Sequence, residues 1–434
     1  MKSLKSLVRP VAFVAFAAVT FGACDEQING GGACPSLCPN PAAQLRDTTF
    51  FAVSLDTTIA GYPAFGAEPQ FFVAEMGDTL QTGAVFRFDS LPNVFRRVNS
   101  ATDSVIMTVD SAYLRLVVVT GDTIGVETTV DVYDVDMDGA EEADPAAVTS
   151  VFTPDRLLGS RTIPADSLRD SLRIPLDNAK LFAKIQIADT TRRRVRLGVR
   201  LREGGARKLR IRSSNPDPEI PLDGGATTQL IFRPSVDTSV PKIILPQLSR
   251  TPEDQPIFRF DLADYLVIFK AAPEPPANVF RVGGLPGRRA YLKFDIPSSI
   301  LDSSSVVRAT LQLTQRPAPF SPDAQDTVRV DQFGVVASPA VTDLTRALAF
   351  IDQLRPDSLR IVPADSGLRE FEIIDWVRVW RGTKESKTPR ALALAFRQEG
   401  KVGSVADFFS IEAPADVRPR LRLTYMARTT GVVP

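Results

Sequence analysis

Residues Arg289–Gln315, "RAYLKFDIPSSILDSSSVVRATLQLTQ", decide the fold. In the first run Leu292 and Phe294 alternate with Tyr291, Lys293 and Asp295, so one face suits a core and the other suits water. In the second, Val307, Ala309, Leu311 and Leu313 alternate with Arg308, Thr310 and Gln312 in the same way. A polar turn separates them. Two such runs read as paired strands of a β-sandwich, with Lys293 and Arg308 on its solvated face.

The phrase has an echo. "AVFRFDSLP" (Ala84–Pro92) stands in the first half where "AYLKFDIPS" (Ala290–Ser298) stands in the second. "DSAYLRLVVV" answers "VVRATLQLTQ", "TTVDVYDV" answers "DTVRVDQF", and "RIPLDNAKLFAKI" answers "FEIIDWVRVW". The pairs "RVRLGVRLREGGARKLRIRSSN" with "ALALAFRQEGKVGSVADFFSIEA", and "TTQLIFRP" with "RPRLRLTY", follow in order. Matches kept in order, with drifting spacing, are what a duplicated domain with loop insertions produces. Proline, glycine and Asp-Ser/Thr pairs punctuate short alternating runs throughout. The expected fold is therefore all-β: two tandem β-sandwich, jelly-roll-like domains with few short helices. Strong helical periodicity is rare, and Ala340–Leu354 and Phe371–Gly382 are the best candidates for short helices. The expected boundaries are 1–24 targeting segment, 25–47 tether, 48–235 first sandwich, 236–258 proline-rich linker and 259–428 second sandwich. The tether is most flexible at Gly30–Gly32.

The N-terminus gives an address. Lys2, Lys5 and Arg9 precede the apolar run Val11–Phe21, too short to span a bilayer and suited to a signal h-region. The ending Phe21-Gly22-Ala23-Cys24 resembles a bacterial lipoprotein box, although Phe21 stands where leucine is usual. That resemblance implies a lipid on Cys24 and an exported chain anchored in the cell envelope, with the membrane as a partner. Cys34 and Cys38, in "CPSLC", have the spacing of a small disulfide loop in an oxidising compartment. Histidine is absent, which removes imidazole bases, Ser-His-Asp and Cys-His catalysis and His-ligated metals. Lys+Arg and Asp+Glu balance at 51 each, so no bulk attraction to nucleic acid follows.

The second half resembles the DNRLRE (disaggregatase-related) domain family, a carbohydrate-binding-module-like sandwich. The residues that carry the resemblance are Tyr291–Asp295, Ala309–Leu313, Ile374–Trp380 and Arg418–Tyr425, across roughly Asp264–Tyr425. It implies a β-sandwich and no particular ligand residue, because the matched positions are core and turn positions.

The most distinctive stretch is "RRRVRLGVRLREGGARKLRIR", Arg192–Arg212. Folded as a hairpin about Gly204-Gly205-Ala206, it sets Leu201 against Leu209, Arg202 opposite Lys208 and Arg200 opposite Arg210. Arg194, Arg196, Arg200, Arg202, Lys208, Arg210 and Arg212 then share a face. Opposed like charges destabilise a strand pair, so solvent, acids of a neighbouring strand, or an anionic glycan or surface polymer must offset them. "DVYDVDMDGAEEAD" places Asp134, Asp136 and Asp138 before a glycine like an EF-hand opening, but position twelve is Pro145 instead of glutamate. A looser calcium site would add Glu141 or Glu142; otherwise the loop supplies counter-charge to the arginines. A dozen triplets of Asp, Ser or Thr, then an apolar residue or Thr resemble acceptors of an envelope O-glycosylation system, and turn chemistry explains them equally well. Trp376 and Trp380 lie four apart on an apolar helical stripe, the mark of a core face more than of a sugar platform. The chain is thus expected to be a non-catalytic binding or structural module. The alternatives are a polysaccharide-degrading enzyme using carboxylates, or a purely structural surface lipoprotein.

Overall fold

The computed structural model describes residues 45–61, 68–119, 125–137, 144–189, 193–214, 227–246, 264–335, 351–352, 357–381, 389–397 and 399–427. Cys24, Cys34 and Cys38 lie outside them. Of the helix expected over Ala340–Leu354, only Ile351–Asp352 is described, and it forms a short strand against Gly334 and Val335.

"GRRAYLKF" forms the strand Gly287–Phe294, with Ala290, Leu292 and Phe294 in the core. Tyr291, expected on the wet face, is fully buried in a second cluster with Ile59, Ala391 and Ala393. "SSVVRATLQLTQR" forms Ser304–Arg316, and Ala309, Leu311 and Leu313 enter the same core. A bulge between Val306 and Arg308 turns Val307 out to solvent, against the simple alternation. The two runs are not neighbours. Gly287–Phe294 pairs with Val53–Gly61 and Ala391–Phe396, while Ser304–Arg316 pairs with Arg420–Ala427 and Gly367–Glu372. The runs face one core from different places in the sheet.

Both sandwiches follow one plan. In the first, Gln81–Phe88 pairs with Val195–Leu201, that strand with Thr128–Asp134, and that one with Leu157–Ile163. In the second, Gly287–Phe294, Ala391–Phe396, Val328–Val335 and Ser358–Ile361 repeat the order. The facing strands correspond too: Val109–Val117 lies between Ser171–Pro175 and Gln229–Pro234 as Ser304–Arg316 lies between Gly367–Glu372 and Arg420–Ala427. A helix follows in each case. Asn178–Ile185 is capped by the Asp177 carboxylate, which accepts from the backbone N–H groups of Ala179 and Lys180. Ile374–Trp380 lies within the expected 371–382 stretch.

The expected boundaries fail at the edges, where the sandwiches trade strands. Leu45–Phe50 pairs with Arg420–Ala427, and Val53–Gly61 with Gly287–Phe294, so the leading strands complete the second sandwich. Reciprocally, Lys242–Ile244 pairs with Gln229–Pro234 and Tyr265–Lys270 with Gln81–Phe88, completing the first. Residues expected to be tether, linker or the start of a domain are thus strands of the sandwich not expected to hold them. Tandem copies of one plan present equivalent edges, and alternation along the chain does not tell a strand which edge to take.

Further contacts join the sandwiches. The Phe72 N–H donates to the Gly400 carbonyl at 2.9 Å, and Leu285 packs into the first core. Arg289 grips Glu399 with two hydrogen bonds of 2.8 and 2.6 Å, beside the buried Glu68. The chain from Leu45 onward forms one compact unit.

Candidate functional site

The arginine-rich stretch does not form a two-stranded ribbon. Val195–Leu201 has Gln81–Phe88 and Thr128–Asp134 as neighbours, whereas Arg207–Arg212 pairs with Gln70–Glu75. Gly204 and Gly205, both at positive φ, carry the chain between these separate positions. The expected oppositions of Arg202 with Lys208 and of Arg200 with Arg210 therefore do not exist. Val195, Leu197, Val199, Leu201, Leu209 and Ile211 enter the core as their alternation implies.

The cations are held internally. Arg194 donates to Asp136 at 3.1 Å and to the Met137 carbonyl at 3.0 Å. Arg196 is fully buried, hydrogen-bonded to the Tyr265 hydroxyl and lying over its ring, so the traded strand supplies its cover. Arg200 lies 4.5 Å from the Phe269 ring centre and reaches Glu203 at 3.2 Å. Arg202 makes a two-pronged bond to the buried Asp131 at 3.0 and 2.7 Å. Lys208 and Arg210 meet Asp323 of the second sandwich, and Arg210 also reaches Asp326 at 3.3 Å. Arg212 lies on the same strand, partly buried, with its backbone carbonyl accepting from the Thr228 hydroxyl at 3.3 Å. Acids and aromatic rings answer the charge of Arg194, Arg196, Arg200, Arg202, Lys208 and Arg210. Tyr265, Asp323 and Asp326 were not visible as partners, because they lie far along the chain and in the other half.

Asp134 and Asp136 converge on Lys184, at 2.9 and 3.2 Å, and Asp136 also holds Arg194. Among the described residues no three His, Cys, Asp or Glu side chains group to hold a metal ion. Asp138, Glu141 and Glu142 lie outside the described residues. The described part of this acidic loop acts as counter-charge. Trp376 and Trp380 are buried, and Trp380 lies tilted against Phe294 with ring centres 5.2 Å apart.

A second basic group lies in the second sandwich. Thr327, Val328, Arg329, Arg360, Phe396, Arg397, Lys401 and Val402 line a cleft of about 330 Å³. Its arginines come from the start of one strand, the middle of its neighbour and just past the end of a third. Arg329 and Arg360 are directly opposed across the strand pair, and the buried Asp331 accepts from Nε of both Arg329 and Arg397 at 2.9 Å. The loop bearing Lys401 and Val402 is pinned to the first sandwich through Gly400. In the sequence Arg329 and Arg360 look like isolated polar members of alternating strands and Arg397 and Lys401 like loop residues; only the register gathers them.

No family model and no curated protein matches the chain. Three solved structures resemble it over most of its length at very low similarity. A Macrobrachium rosenbergii nodavirus structure has 10% identity and a TM-score of 0.19, covering 91% of this chain and 94% of its own. A T=3 Penaeus vannamei nodavirus has 10% identity and a TM-score of 0.16, covering 93% and 98%. The CBM22-1-CBM22-2 tandem of Paenibacillus barcinonensis Xyn10C has 8% identity and a TM-score of 0.13, covering 86% and 100%. None bears on function.

Proposed function

We propose that this chain is a non-catalytic module of a bacterial cell envelope, carried on a lipid at Cys24. The observation that carries the reading is the reciprocal trade of strands, which builds two sandwiches into one body. The internal neutralisation of the arginine-rich stretch supports it, since that charge serves the fold and the junction with the second sandwich. The lipoprotein-like ending at Cys24 and the DNRLRE-like phrases of the second half agree with a surface module. In a bacterial host fed labelled palmitate, the full-length protein takes up label and sediments with membranes. Cys24→Ala abolishes both. Equal labelling of the variant overturns the anchor, and steady release of reducing ends from an envelope polysaccharide overturns the non-catalytic assignment.

A further inference from the structure

The second sandwich departs from the first at one matched place, and the departure points to a ligand. The registers align Asp131 with Asp331: Asp131 opposes Ser160 and Arg200, as Asp331 opposes Ser358 and Ala395. Arg202 grips Asp131, and Arg397 grips Asp331. The Arg202 N–H donates to the Thr129 carbonyl, and the Arg397 N–H to that of Arg329. One step further out, the first sandwich sets Thr129 against Thr162, their hydroxyls hydrogen-bonded at 2.9 Å. At the same step the second sets Arg329 against Arg360. The first copy shows that the scaffold closes with a neutral pair. In the second, two guanidinium groups take that place, at a cost that opposed like charges always carry.

The surroundings say what offsets the cost. Asp331 already serves two guanidinium groups, and Arg360 is exposed. Lys401 adds a further cation at the rim. The half-buried Val402, beside the edges of the core residues Val328 and Phe396, supplies an apolar wall, which an inorganic anion would not need. The cleft volume falls in the range of small-molecule sites, roughly 300–1,000 Å³, where apolar lining takes the ligand body and a few polar groups fix its orientation. A sugar ring carrying an oxyanion matches both parts. Its C–H face packs on the apolar wall, and its carboxylate or sulfate bridges Arg329 and Arg360 through paired planar donors.

We propose that this cleft binds an acidic sugar unit of a polysaccharide, with Arg329, Arg360 and Lys401 engaging its oxyanion. This rests on the reading of the chain as a non-catalytic module and names its ligand class. The test titrates the full-length protein with an oligogalacturonide, a sulfated dextran oligosaccharide, a neutral maltooligosaccharide and vesicles containing an anionic phospholipid. Either acidic oligosaccharide should bind, more weakly as salt rises, and the two arms tell carboxylate from sulfate. The decisive variant is Arg329→Thr with Arg360→Thr, which installs the neutral pair of the first sandwich. It should weaken binding by at least about tenfold. Because Arg329→Thr also removes a hydrogen bond to the buried Asp331, the single variant Arg360→Thr, which keeps that bond, should weaken binding as well while leaving the unfolding temperature unchanged or higher. Undiminished affinity in both variants, binding of the neutral sugar as tight as the acidic ones, or binding to the vesicles alone would overturn the proposal. Shortening of the oligogalacturonide would overturn the non-catalytic reading instead, and loss of binding in the double variant would still place the ligand in this cleft.

Discussion

A side chain added at Gly334 would collide with the ring of Trp376. That glycine is why a tryptophan on a short helix can pack closely on the sheet, and why Trp376 belongs to the core and not to a sugar platform. Gly334→Ala should cost about 1–3 kcal/mol by overpacking, read as a lower urea midpoint. An unchanged midpoint would mean that the ring readily swings aside. Burial raises four carboxyls, Asp56, Glu68, Asp264 and Glu399, and two of them dominate the dependence of stability on pH. Burial first of all pushes Glu68 and Asp264 up to about 7, from ordinary values of 4.5 and 3.8. The folded protein thus keeps protons that the unfolded chain releases. The resulting stabilisation is complete below the ordinary values and is lost as pH rises through about 7. The urea midpoint should fall between about pH 5 and pH 8, and Glu68→Gln with Asp264→Asn should flatten that fall. A fall of equal size in the double variant would assign it to other groups. Alternation showed which residues face inward at most strand positions. It could not show that an acid would be buried, because a carboxyl's burial depends on which distant segments cover it.

For whole strands the sequence was legible in kind and not in company. The runs at 84–88, 195–201, 290–294 and 309–313 all form strands, yet the expected hairpin at 204–206 and the expected pairing within 289–315 do not occur. Local alternation fixes a strand's two faces, while its neighbours are chosen by edges elsewhere in the chain. The echo of "TTVDVYDV" in "DTVRVDQF" illustrates the difference. Laid end to end, the strings set Asp131 against Arg329, whereas the registers set it against Asp331. That slip of two residues hid the cleft. The traded strand Val53–Gly61 packs Ile59 against Tyr291, Val335 and Ala393 of the second sandwich. Ile59→Ala should therefore lower stability by about 2–4 kcal/mol. It should also speed amide exchange in Gly287–Phe294 more than in Gln81–Phe88. Faster exchange confined to Gln81–Phe88 would contradict the assigned partner.

Taken whole, the described residues build two main cores and one set of closures. Once the chain is severed at a protease site engineered between residues 247 and 263, the products should not separate. They should co-elute, because each fragment keeps strands that the other's sandwich needs. Two independently eluting halves would refute the trade. Thermal unfolding should likewise show a single transition, since neither sandwich closes alone. The same trade sets a timetable for a newborn chain. Thr48 lies opposite Leu423, so one of the earliest strands to be made waits for one of the last. At ordinary rates of synthesis that wait is on the order of tens of seconds. Through it, Leu45–Phe50 stays without its native partner, Val53–Gly61 waits the shorter time until Gly287–Phe294 is made, and an unpaired strand edge invites aggregation. A cell making this protein in quantity must keep those residues from pairing elsewhere, so its yield should depend on chaperones that shield unfolded chains.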